Sequence, residues 1–240
     1  MKNFLLTALA ILAAVCSCGR SDAGRLQSGD LVFVASASSE GMDGAIASAT
    51  ADGAALSFVH VAIVDVADDG AIWIVEATPK KGVVRHPLES FIGDNTEEDG
   101  SMPAMVVMRL DAEAFENAGV SADACVTRAV GFEGRSYDFY FLPDNDAFYC
   151  SELVYESFVG KDGAHLFEAA PMNFLAEDGN CPEYWTDLFG RMGMDVPQGI
   201  AGTNPQDMSA DRRLTKVCEW LSPVISSEAH GWSPRTDGAR

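Results

Sequence analysis

The pattern of apolar and polar residues predicts a run of short β-strands in the first half of the chain. One short strand covers residues 31–34, and two stronger strand patterns cover Phe58 to Val66 and Ala71 to Ala77. The residues between the stronger patterns, Ala67-Asp68-Asp69-Gly70, are typical of a turn, so this pair is predicted to form a β-hairpin. Further strands are predicted at residues 82–86 and 104–110.

Helical spacing of apolar residues predicts the remaining elements. The clearest helix after the middle of the chain covers residues 149–158, and a helix-like stretch over residues 112–131 ends at a glycine. Residues 38–55 contain a weak helix followed by a loop. From residue 177 onward the chain is rich in loops and prolines, and a last helix is predicted at residues 211–221.

These elements together indicate the α+β class, with one domain over residues 27–230 and a frayed tail at residues 231–240. The chain has 240 residues, of which 48% are hydrophobic and 22% charged, and this composition is ordinary for a globular protein. The sequence contains no internal repeat and no low-complexity linker that would require a second domain.

The charge of the chain narrows its possible partners. Acidic residues outnumber basic residues by 36 to 16, which gives a formal net charge of −20. Nucleic-acid binding depends on Lys and Arg that neutralise phosphates, and the basic residues here are scattered, with pairs such as Arg212-Arg213. The sequence therefore argues against a nucleic-acid partner. Beyond the N-terminus, no stretch approaches the roughly 20 apolar residues that cross a bilayer.

The N-terminus has the three parts of a bacterial secretion signal. Lys2 supplies a positive charge, residues 4–15 form an apolar run interrupted only by Thr7, and polar sequence containing glycine follows. The apolar run is too short for a stable membrane span. We predict a lipoprotein signal peptide over residues 1–18 and a polar tether over residues 19–26.

The end of this signal resembles a lipobox, in which a small residue precedes the cysteine that is lipidated. Cys18 fits this role because Ser17 before it is small, whereas Val15 before Cys16 is branched. A cysteine at position 16 departs from the usual pattern, and the alternative is a plain signal peptide cleaved near Ala23. Both interpretations place the mature protein outside the cytoplasm. Lipidation of Cys18 would anchor it to a membrane of the bacterial cell envelope, in the periplasm or at the outer membrane.

The sequence contains no recognisable signature of a metal site or a cofactor. Its four histidines are far apart, no Cys-x-x-Cys occurs, and no glycine-rich phosphate loop is present. We therefore predict neither a metal nor a cofactor. Three of the histidines, His86, His165 and His230, have sequence contexts typical of surface residues.

One cysteine and one histidine remain as candidates for chemistry. Cys150 opens the helix predicted at residues 149–158, and the positive end of a helix dipole favours the nucleophilic thiolate. His60 lies within an apolar strand, where a polar ring is unusual unless it faces a cleft. An imidazole beside a thiolate holds it as an ion pair and later protonates a leaving group.

The predicted hairpin supplies a third candidate. If its strands pair about a turn centred on Asp68 and Asp69, His60 lies opposite Glu76 or Ala77. Opposite residues have Cβ atoms about 4.5–5.5 Å apart, which allows a hydrogen bond between the imidazole and the carboxylate. Glu76 is therefore predicted to orient His60, as the acidic residue of a catalytic triad does.

Each candidate also has a structural interpretation. A cysteine that begins a helix is commonly structural or disulfide-bonded, and a histidine in a strand is commonly a satisfied core residue. Glu76 by itself suits an edge strand, where a charge hinders aggregation. The combination of the three residues in this order is what favours a catalytic interpretation.

At this point the sequence resembles the permuted papain-like cysteine amidases of the YaeF/YiiX type, relatives of the NlpC-type cell-wall peptidases. In that family the strand with the histidine precedes the helix with the cysteine, which reverses the order in papain. The matching segments run in the family's order and are Gly29–Phe33, Ser57–Val64, Val75–Ala77, Gly82–Val84 with Pro87-Leu88, Gly134–Phe139, Tyr149–Val154 and Asn204–Met208. In the last segment, Asn204 departs from the threonine of the family.

The resemblance implies a permuted papain-like fold, in which an antiparallel sheet with His60 and Glu76 packs against the helix that bears Cys150. It implies that Cys150 is the nucleophile, His60 the base and Glu76 the orienting residue. Tyr137 resembles a tyrosine near the active site of the wider group, and is expected to contact the oxyanion or the substrate.

The leading functional hypothesis is a cysteine hydrolase that cleaves peptide or cell-wall-type amides through an acyl-enzyme on Cys150. A second hypothesis is thioester or lipid acyl hydrolysis or transfer, because permuted relatives of the lecithin retinol acyltransferase type share this chain order. A third is a non-catalytic lipoprotein that binds envelope peptides, although the intact Cys, His and Glu set argues against it. The implied partners are a peptide, amide-containing or acyl small-molecule substrate and, through the lipid, a membrane.

The cysteines beyond the signal peptide allow a limited disulfide prediction. A nucleophile must remain a free thiol, so any disulfide is expected among Cys125, Cys181 and Cys218, with at most one bond. Cys181 and Cys218 are the favoured pair, because a cross-link in the loop-rich C-terminal part would restrict the unfolded chain most.

Overall fold

The computed structural model describes residues 26–97 and 100–220. The predicted signal peptide with Cys18, most of the predicted tether, His230 and the predicted tail at residues 231–240 lie outside the described residues. Within the part that the structure describes, no helix is both long enough and apolar enough to cross a membrane.

The centre of the fold is a six-stranded sheet in which all neighbouring strands are antiparallel. Its strands are β1 (Leu31–Ala35), β2 (Phe58–Val66), β3 (Ile72–Thr78), β4 (Gly82–Pro87), β5 (Met105–Leu110) and β10 (Leu214–Trp220), in the order β10-β5-β1-β2-β3-β4. Two short pairs are β6 (Ser136–Tyr137) with the parallel β7 (Ala147–Phe148), and β8 (Ala170–Pro171) with the antiparallel β9 (Ala201–Gly202). The predicted α+β class and antiparallel sheet are confirmed.

Seven helices lie within residues 26–97 and 100–220. They are α1 (Gly41–Ala49), α2 (Leu88–Asp94), α3 (Ala112–Ala118), α4 (Ala122–Gly131), α5 (Cys150–Ser157), α6 (Glu183–Met192) and α7 (Pro205–Ser209). Helix α5 begins at Cys150, as the sequence predicts.

The sheet is buried on both faces, because several of its strands are continuous apolar runs rather than alternating ones. All five residues of β1 are buried. On one face, Phe33 and Ile63 pack with Val154 of α5 and with residues of α4. On the other face, Ile74 packs with Phe91 of α2. Burial of each large apolar side chain contributes about 1.5–3 kcal/mol to the free energy of unfolding. The two cores therefore hold the sheet in place, so that residues on its strands keep fixed positions.

A third apolar cluster, centred on Trp185 of α6, lies apart from the sheet. The Trp185 ring meets Phe141 at a centroid distance of 5.4 Å and Phe174 at 5.1 Å, both close to perpendicular, and Phe189 is fully buried beside them. The sequence analysis describes this region as rich in loops and predicts no helix at Glu183–Met192, and that expectation is wrong. The helix forms because Trp185 and Phe189 are four residues apart and so bury on the same helical face.

The prediction of a helix at residues 211–221 is also wrong, because most of this segment is strand β10. This strand pairs with β5 from Leu214 opposite Leu110 to Trp220 opposite Met105. Cys218 and Trp220 are buried against the second face of the sheet. Pairing with β5 supplies both the hydrogen bonds and the buried surface that decide the conformation, and such tertiary context overrides local propensity.

The helix-like stretch predicted at residues 112–131 is two helices. Gly119 ends α3 with a left-handed conformation, at a φ of 63°, which glycine adopts without strain. Ser121 then starts α4, and its side chain accepts the backbone N–H of Ala124.

The cysteines are not paired as predicted. Cys125, Cys150 and Cys181 are free thiols, so the disulfide expected between Cys181 and Cys218 does not form. The two residues belong to different apolar clusters, since Cys181 packs beside α6 and Cys218 packs against the sheet.

Asp30 joins the start of β1 to β5 through an ion pair in which the aspartate is buried and the arginine is partly exposed. Its carboxylate accepts two N–H groups of Arg109, at 2.6 Å and 2.8 Å, and the side chain of Asp30 has no exposed surface. The same carboxylate accepts the backbone N–H of Gln27 at 2.8 Å, which closes the turn before β1. Both carboxylate oxygens are therefore satisfied inside the protein.

We expect Asp30→Ala to lower the free energy of unfolding by about 2 kcal/mol, because it removes the buried carboxylate that accepts hydrogen bonds from Arg109 and Gln27. Urea denaturation measures this change. The matched control is Asp146→Ala, which breaks an ion pair with Arg135 that is 92% exposed on the aspartate side, and should change stability by about 1 kcal/mol or less. Equal effects of the two variants would contradict the assignment.

Candidate active site

Cys150 is the first residue of α5 and lies at the bottom of a cleft, with 5% of its surface exposed. The extended backbone of Tyr149 ends the preceding strand pair and starts the helix. The Tyr149 hydroxyl accepts the backbone N–H of Thr203 at 3.1 Å, which fixes the helix N-terminus against the C-terminal part of the fold. The N–H groups of the first helical turn have no partner within the helix, so they form a positive end beside the thiol.

His60 lies in β2, where the strand carries a β-bulge. His60 pairs with Val34 of β1, but the next pair is Phe58 with Ala35, so Val59 is an extra residue in β2. Bulges of this kind redirect side chains at functional sites. The backbone N–H of Phe58 donates to the buried Gln206 of α7 at 2.7 Å, and this bond holds the start of the strand in place.

The imidazole of His60 connects the thiol to a carboxylate. Its Nε2 atom donates to Oε2 of Glu76 at 2.6 Å, and the ring also interacts with the side chain of Cys150, which raises the pKa of the ring. Because Nε2 is bonded to Glu76, Nδ1 is the ring nitrogen that remains for the thiol. The structure thus brings together the three residues singled out from the sequence.

The predicted pairing of His60 with Glu76 or Ala77 is wrong, by two residues or by one. In the β2–β3 ladder, Ile63 pairs with Val75 and Val66 with Ile72, so the turn holds five residues, 67–71, and not the four expected. The continuation of this register places Glu76 diagonally from His60. A diagonal neighbour on the same face is still within reach of a long side chain, and the hydrogen bond forms across this diagonal.

The charges of this group favour an imidazolium between two acidic partners. Burial by itself lowers the pKa of His60, but its hydrogen bonds and charge interactions with Cys150 and Glu76 outweigh burial and raise the pKa to about 10. Burial raises the pKa of Glu76, but its contacts with His60 and His86 prevail and lower the pKa to about 2. The site therefore holds a carboxylate and an imidazolium at neutral pH.

His86 is a fourth member of the site, which the sequence analysis assigned to the surface. Its Nε2 atom lies 2.8 Å from Oε1 of Glu76, the oxygen that His60 leaves free, although the ring is not aligned for a regular hydrogen bond. Its Nδ1 atom lies 3.7 Å from Asp94, and Phe91 packs edge-on against the ring. The short turn between β3 and β4 pairs His86 with Ile74, and this register is the signal that places it beside Glu76.

Tyr137 lines the same clefts as Cys150. Its hydroxyl donates to the sulfur of Met42 at 3.8 Å. Burial, followed by the charge of Cys150, raises the pKa of Tyr137 well above its ordinary value. The hydroxyl is therefore a stable hydrogen-bond donor near the reacting atom.

Two clefts of contrasting chemistry meet at Cys150. The first, here called the apolar slot, contains no Asp, Glu, Lys, Arg or His among its described lining residues and includes Ile46, Tyr137, Phe141, Tyr149, Met172, Phe174, Trp185 and Thr203. The second, here called the charged groove, contains His60 and Glu76 together with Asp43, Lys80, Lys81, Asp94 and Glu97. A ligand that spans the thiol therefore meets an uncharged environment on one side and a charged one on the other.

His165 does not line either of the clefts at Cys150. His165 stacks on Tyr155 at a centroid distance of 3.8 Å and approaches Glu156 at 3.5 Å, away from the cleft. Within residues 26–97 and 100–220, no group of three or more His, Cys, Asp or Glu side chains is arranged to hold a metal ion.

We expect Glu76→Gln to lower the pKa of His60 by about 1–3 units, because it removes the opposite charge from the ring. The His60 pKa is raised in the protein, so the imidazolium is present below about pH 10 and is lost as the pH rises through that value. In the variant this loss occurs at lower pH, and alkylation of Cys150 by iodoacetamide at neutral pH slows by about 10-fold. An NMR titration of the His60 ring and the pH dependence of alkylation measure both effects.

His86→Leu is the companion of this test, because it removes the contact to the other oxygen of Glu76 but keeps the carboxylate. The carboxylate charge then faces His60 alone, so the His60 pKa should not fall as it does in Glu76→Gln. Asp65→Asn is the control, because it removes a partly buried carboxylate of β2 that pairs with Arg85 instead. If wild type and Glu76→Gln gave coincident profiles, Glu76 would be a strand residue only.

Comparison with known proteins agrees with this geometry. A family model described as the permuted papain-like amidase enzyme, YaeF/YiiX, C92 family, matches residues 25–218. Among solved structures, the chain is similar to one described as the metalloprotein YiiX from Escherichia coli O157:H7, with a TM-score of 0.60 and 22% identity. That similarity covers 81% of this chain and 98% of the other, and at this identity it shows the fold. No curated protein matches the chain.

The family match begins before β1, ends within β10, and includes Cys150, His60 and Glu76. The order of strand histidine before helix cysteine, the antiparallel sheet and the match over most of the described fold agree with one another. The chain therefore belongs to the permuted papain-like amidase family of the YaeF/YiiX type.

Proposed function

We propose that the protein is a cysteine hydrolase of the bacterial cell envelope that cleaves amide bonds through an acyl-enzyme on Cys150. Membership of an amidase family supports amide hydrolysis in general. The observation that carries the specific mechanism is the His60 ring, which interacts with Cys150 and is hydrogen-bonded to the buried carboxylate of Glu76.

The proposed reaction proceeds in two halves. The thiolate of Cys150 attacks the amide carbonyl, a carbon–sulfur bond forms, and the carbonyl electrons move to the oxygen. The carbon–nitrogen bond then breaks, and the leaving nitrogen takes the proton of the His60 imidazolium. In the second half His60 removes a proton from water, the resulting hydroxide attacks the thioester, and the carboxylic acid leaves as the thiolate is restored.

The developing oxyanion has two proposed donors. The backbone N–H of Cys150 is at the start of α5 and has no partner within the helix. The hydroxyl of Tyr137 is the second, in agreement with its position at the junction of the two clefts. Donors aimed at this oxygen stabilise charge that exists only in the transition state.

Glu76 and His86 have supporting roles in this proposal. Glu76 orients the imidazole and stabilises its positive charge, while His86 contacts the second carboxylate oxygen and holds the carboxylate in place. Neither residue exchanges atoms with the substrate.

A second candidate function is hydrolysis or transfer of a thioester or lipid acyl group. The apolar slot beside Cys150 favours it, because a hydrocarbon chain loses water-exposed surface there without placing a charge in contact with the walls. A binder without catalysis agrees poorly with the arrangement of Cys150, His60 and Glu76.

We expect a chloroacetamide activity probe to label the wild-type protein at Cys150. In Cys150→Ala the probe should label no residue of the site. Cys181→Ser is the matched control, because Cys181 is a partly exposed free thiol outside the site and its loss should leave labelling of Cys150 unchanged. Wild type should release amine from amide substrates, and Glu76→Gln should lose about 10²–10⁴-fold of that rate, the range of a positioned acid–base group.

The substrate panel for this experiment contains peptidoglycan fragments, acyl-lipids and thioesters, so that it separates the two enzymatic candidates. Turnover that survives Cys150→Ala would refute the acyl-enzyme. Thioester cleavage without any amide cleavage would favour the second candidate.

The envelope location is proposed from the sequence of the signal peptide. We expect Cys18→Ala to abolish metabolic labelling by an alkyne fatty acid and to move the protein out of the membrane fraction. Cys16→Ala is the control and should retain both properties. The reverse result would move the lipid to Cys16, and loss of neither property in either variant would contradict lipid anchoring.

A further inference from the structure

We propose that Asp43 is a second carboxylate partner of the His60 imidazolium, which it stabilises by its charge across the charged groove and without a hydrogen bond. The proposal rests on the proposed function, because it concerns the ion pair of Cys150 and His60 that would carry the reaction. Asp43 is a positioning residue in this role, since it acts on the charge of His60 and takes no part in bond making. It makes the catalytic ion pair depend on ionic strength.

Asp43 reaches the site from helix α1, which packs against β2. It lies in the first turn of α1 and lines the charged groove together with His60, Glu76 and Cys150. Its side chain is exposed, and it forms no hydrogen bond or ion pair with the described residues. A carboxylate is therefore held in the same groove as the imidazole without being committed to another partner.

The charges of the groove leave Asp43 without a balancing lysine. The titratable and charged groups around His60 are Cys150 of α5, Glu76 of β3 with His86 of β4 at its other oxygen, Tyr137 of β6, Asp43 of α1, and Lys80, Lys81, Asp94 and Glu97 along the rest of the groove. In the last group the lysines and the acids are equal in number, and Lys81 pairs with Asp94 at 2.6 Å. The imidazolium is thus the cation that Asp43 faces.

The pKa of Asp43 reflects this neighbour. Partial burial in the groove raises the pKa of Asp43, and the positive charge of His60 acts against that rise. The interaction between two charges is mutual, so the Asp43 carboxylate favours the protonated form of His60. Burial first, and then a set of neighbouring charges that includes Asp43, also raises the pKa of Tyr137. Asp43 therefore favours both the imidazolium and the neutral hydroxyl.

Exposure to salt distinguishes Asp43 from Glu76. Glu76 is 3% exposed and contacts the His60 ring at 2.6 Å, so dissolved ions screen that interaction little. Asp43 is exposed and acts without direct contact, so its interaction weakens as the Debye length falls from about 30 Å at 0.01 M salt to about 3 Å at 1 M. The part of the His60 pKa that salt removes is assigned to Asp43.

Asp43→Asn tests this role in the otherwise unchanged chain. The measurement is the apparent pKa of the His60 ring by NMR, in about 0.01 M and about 1 M sodium chloride. In low salt the variant should titrate about 0.5 unit below wild type, and in high salt the two proteins should coincide. Asp43→Glu keeps the charge and should titrate as wild type does in both salts.

Glu40→Gln is the matched control. Glu40 directly precedes α1, is exposed and lines neither cleft at Cys150. The substitution removes the same charge from the same end of the helix, so it reproduces any effect of net charge or of the helix dipole. It should shift the His60 pKa far less than Asp43→Asn does.

The results separate this proposal from the proposed function. Coincidence of Asp43→Asn with wild type in low salt, a shift that persists unchanged in high salt, or an equal shift in Asp43→Glu or Glu40→Gln would overturn the role of Asp43. None of these measurements requires turnover. If His60 titrates as expected in every variant but wild type hydrolyses no amide, the role of Asp43 stands and the proposed hydrolysis fails.

Discussion

The burial of one carboxylate, that of Glu76, is the constraint around which the site is arranged. Glu76 lies in an apolar strand with 3% of its surface exposed, where an unpaired charge would be very costly. Two imidazoles, one from each neighbouring strand, face its two oxygens at 2.6 Å and 2.8 Å. The same pairing that makes this charge tolerable gives His60 a strong preference for its protonated form. Stability and reactivity therefore depend on the same contacts.

The thiol reaches this group because separate parts of the fold converge on one helix end. Helix α5 packs on the sheet through Leu153 and Val154, which sets its position relative to β2. Tyr149 ties its N-terminus to Thr203, and Gln206 holds the start of β2 two residues before His60. The segment around α7, which carries no reacting group in our proposal, thus positions both the helix and the strand.

The contrast between the two clefts also has a structural origin. The apolar slot lies between α1 and the aromatic cluster of Trp185, and its walls are residues that the cluster already buries. The charged groove lies over β3 and the turn that follows it, where Lys80 and Lys81 are exposed and close to Asp94 and Glu97. The whole chain contains 36 acidic and 16 basic residues. The absence of charged side chains from the described lining of the slot is therefore a local feature. It reflects packing and not composition.

The sequence by itself determined the elements whose patterns are local and strong. The apolar runs and turn residues predicted the hairpin, the cysteine at a helix start predicted α5, and the lone polar residues His60 and Glu76 in apolar strands marked the site. The sequence did not determine the register of the β2–β3 pair, because one more residue in the turn at 67–71 changes the partner of Glu76 without changing the pattern of apolar residues. The bulge at Val59, the strand β10 and the helix α6 likewise depend on partners distant in the chain, which supply the hydrogen bonds and buried surface that local propensity lacks. His86 shows the same limit, because a histidine that looks like a surface residue in sequence becomes a partner of Glu76 only when β4 pairs with β3.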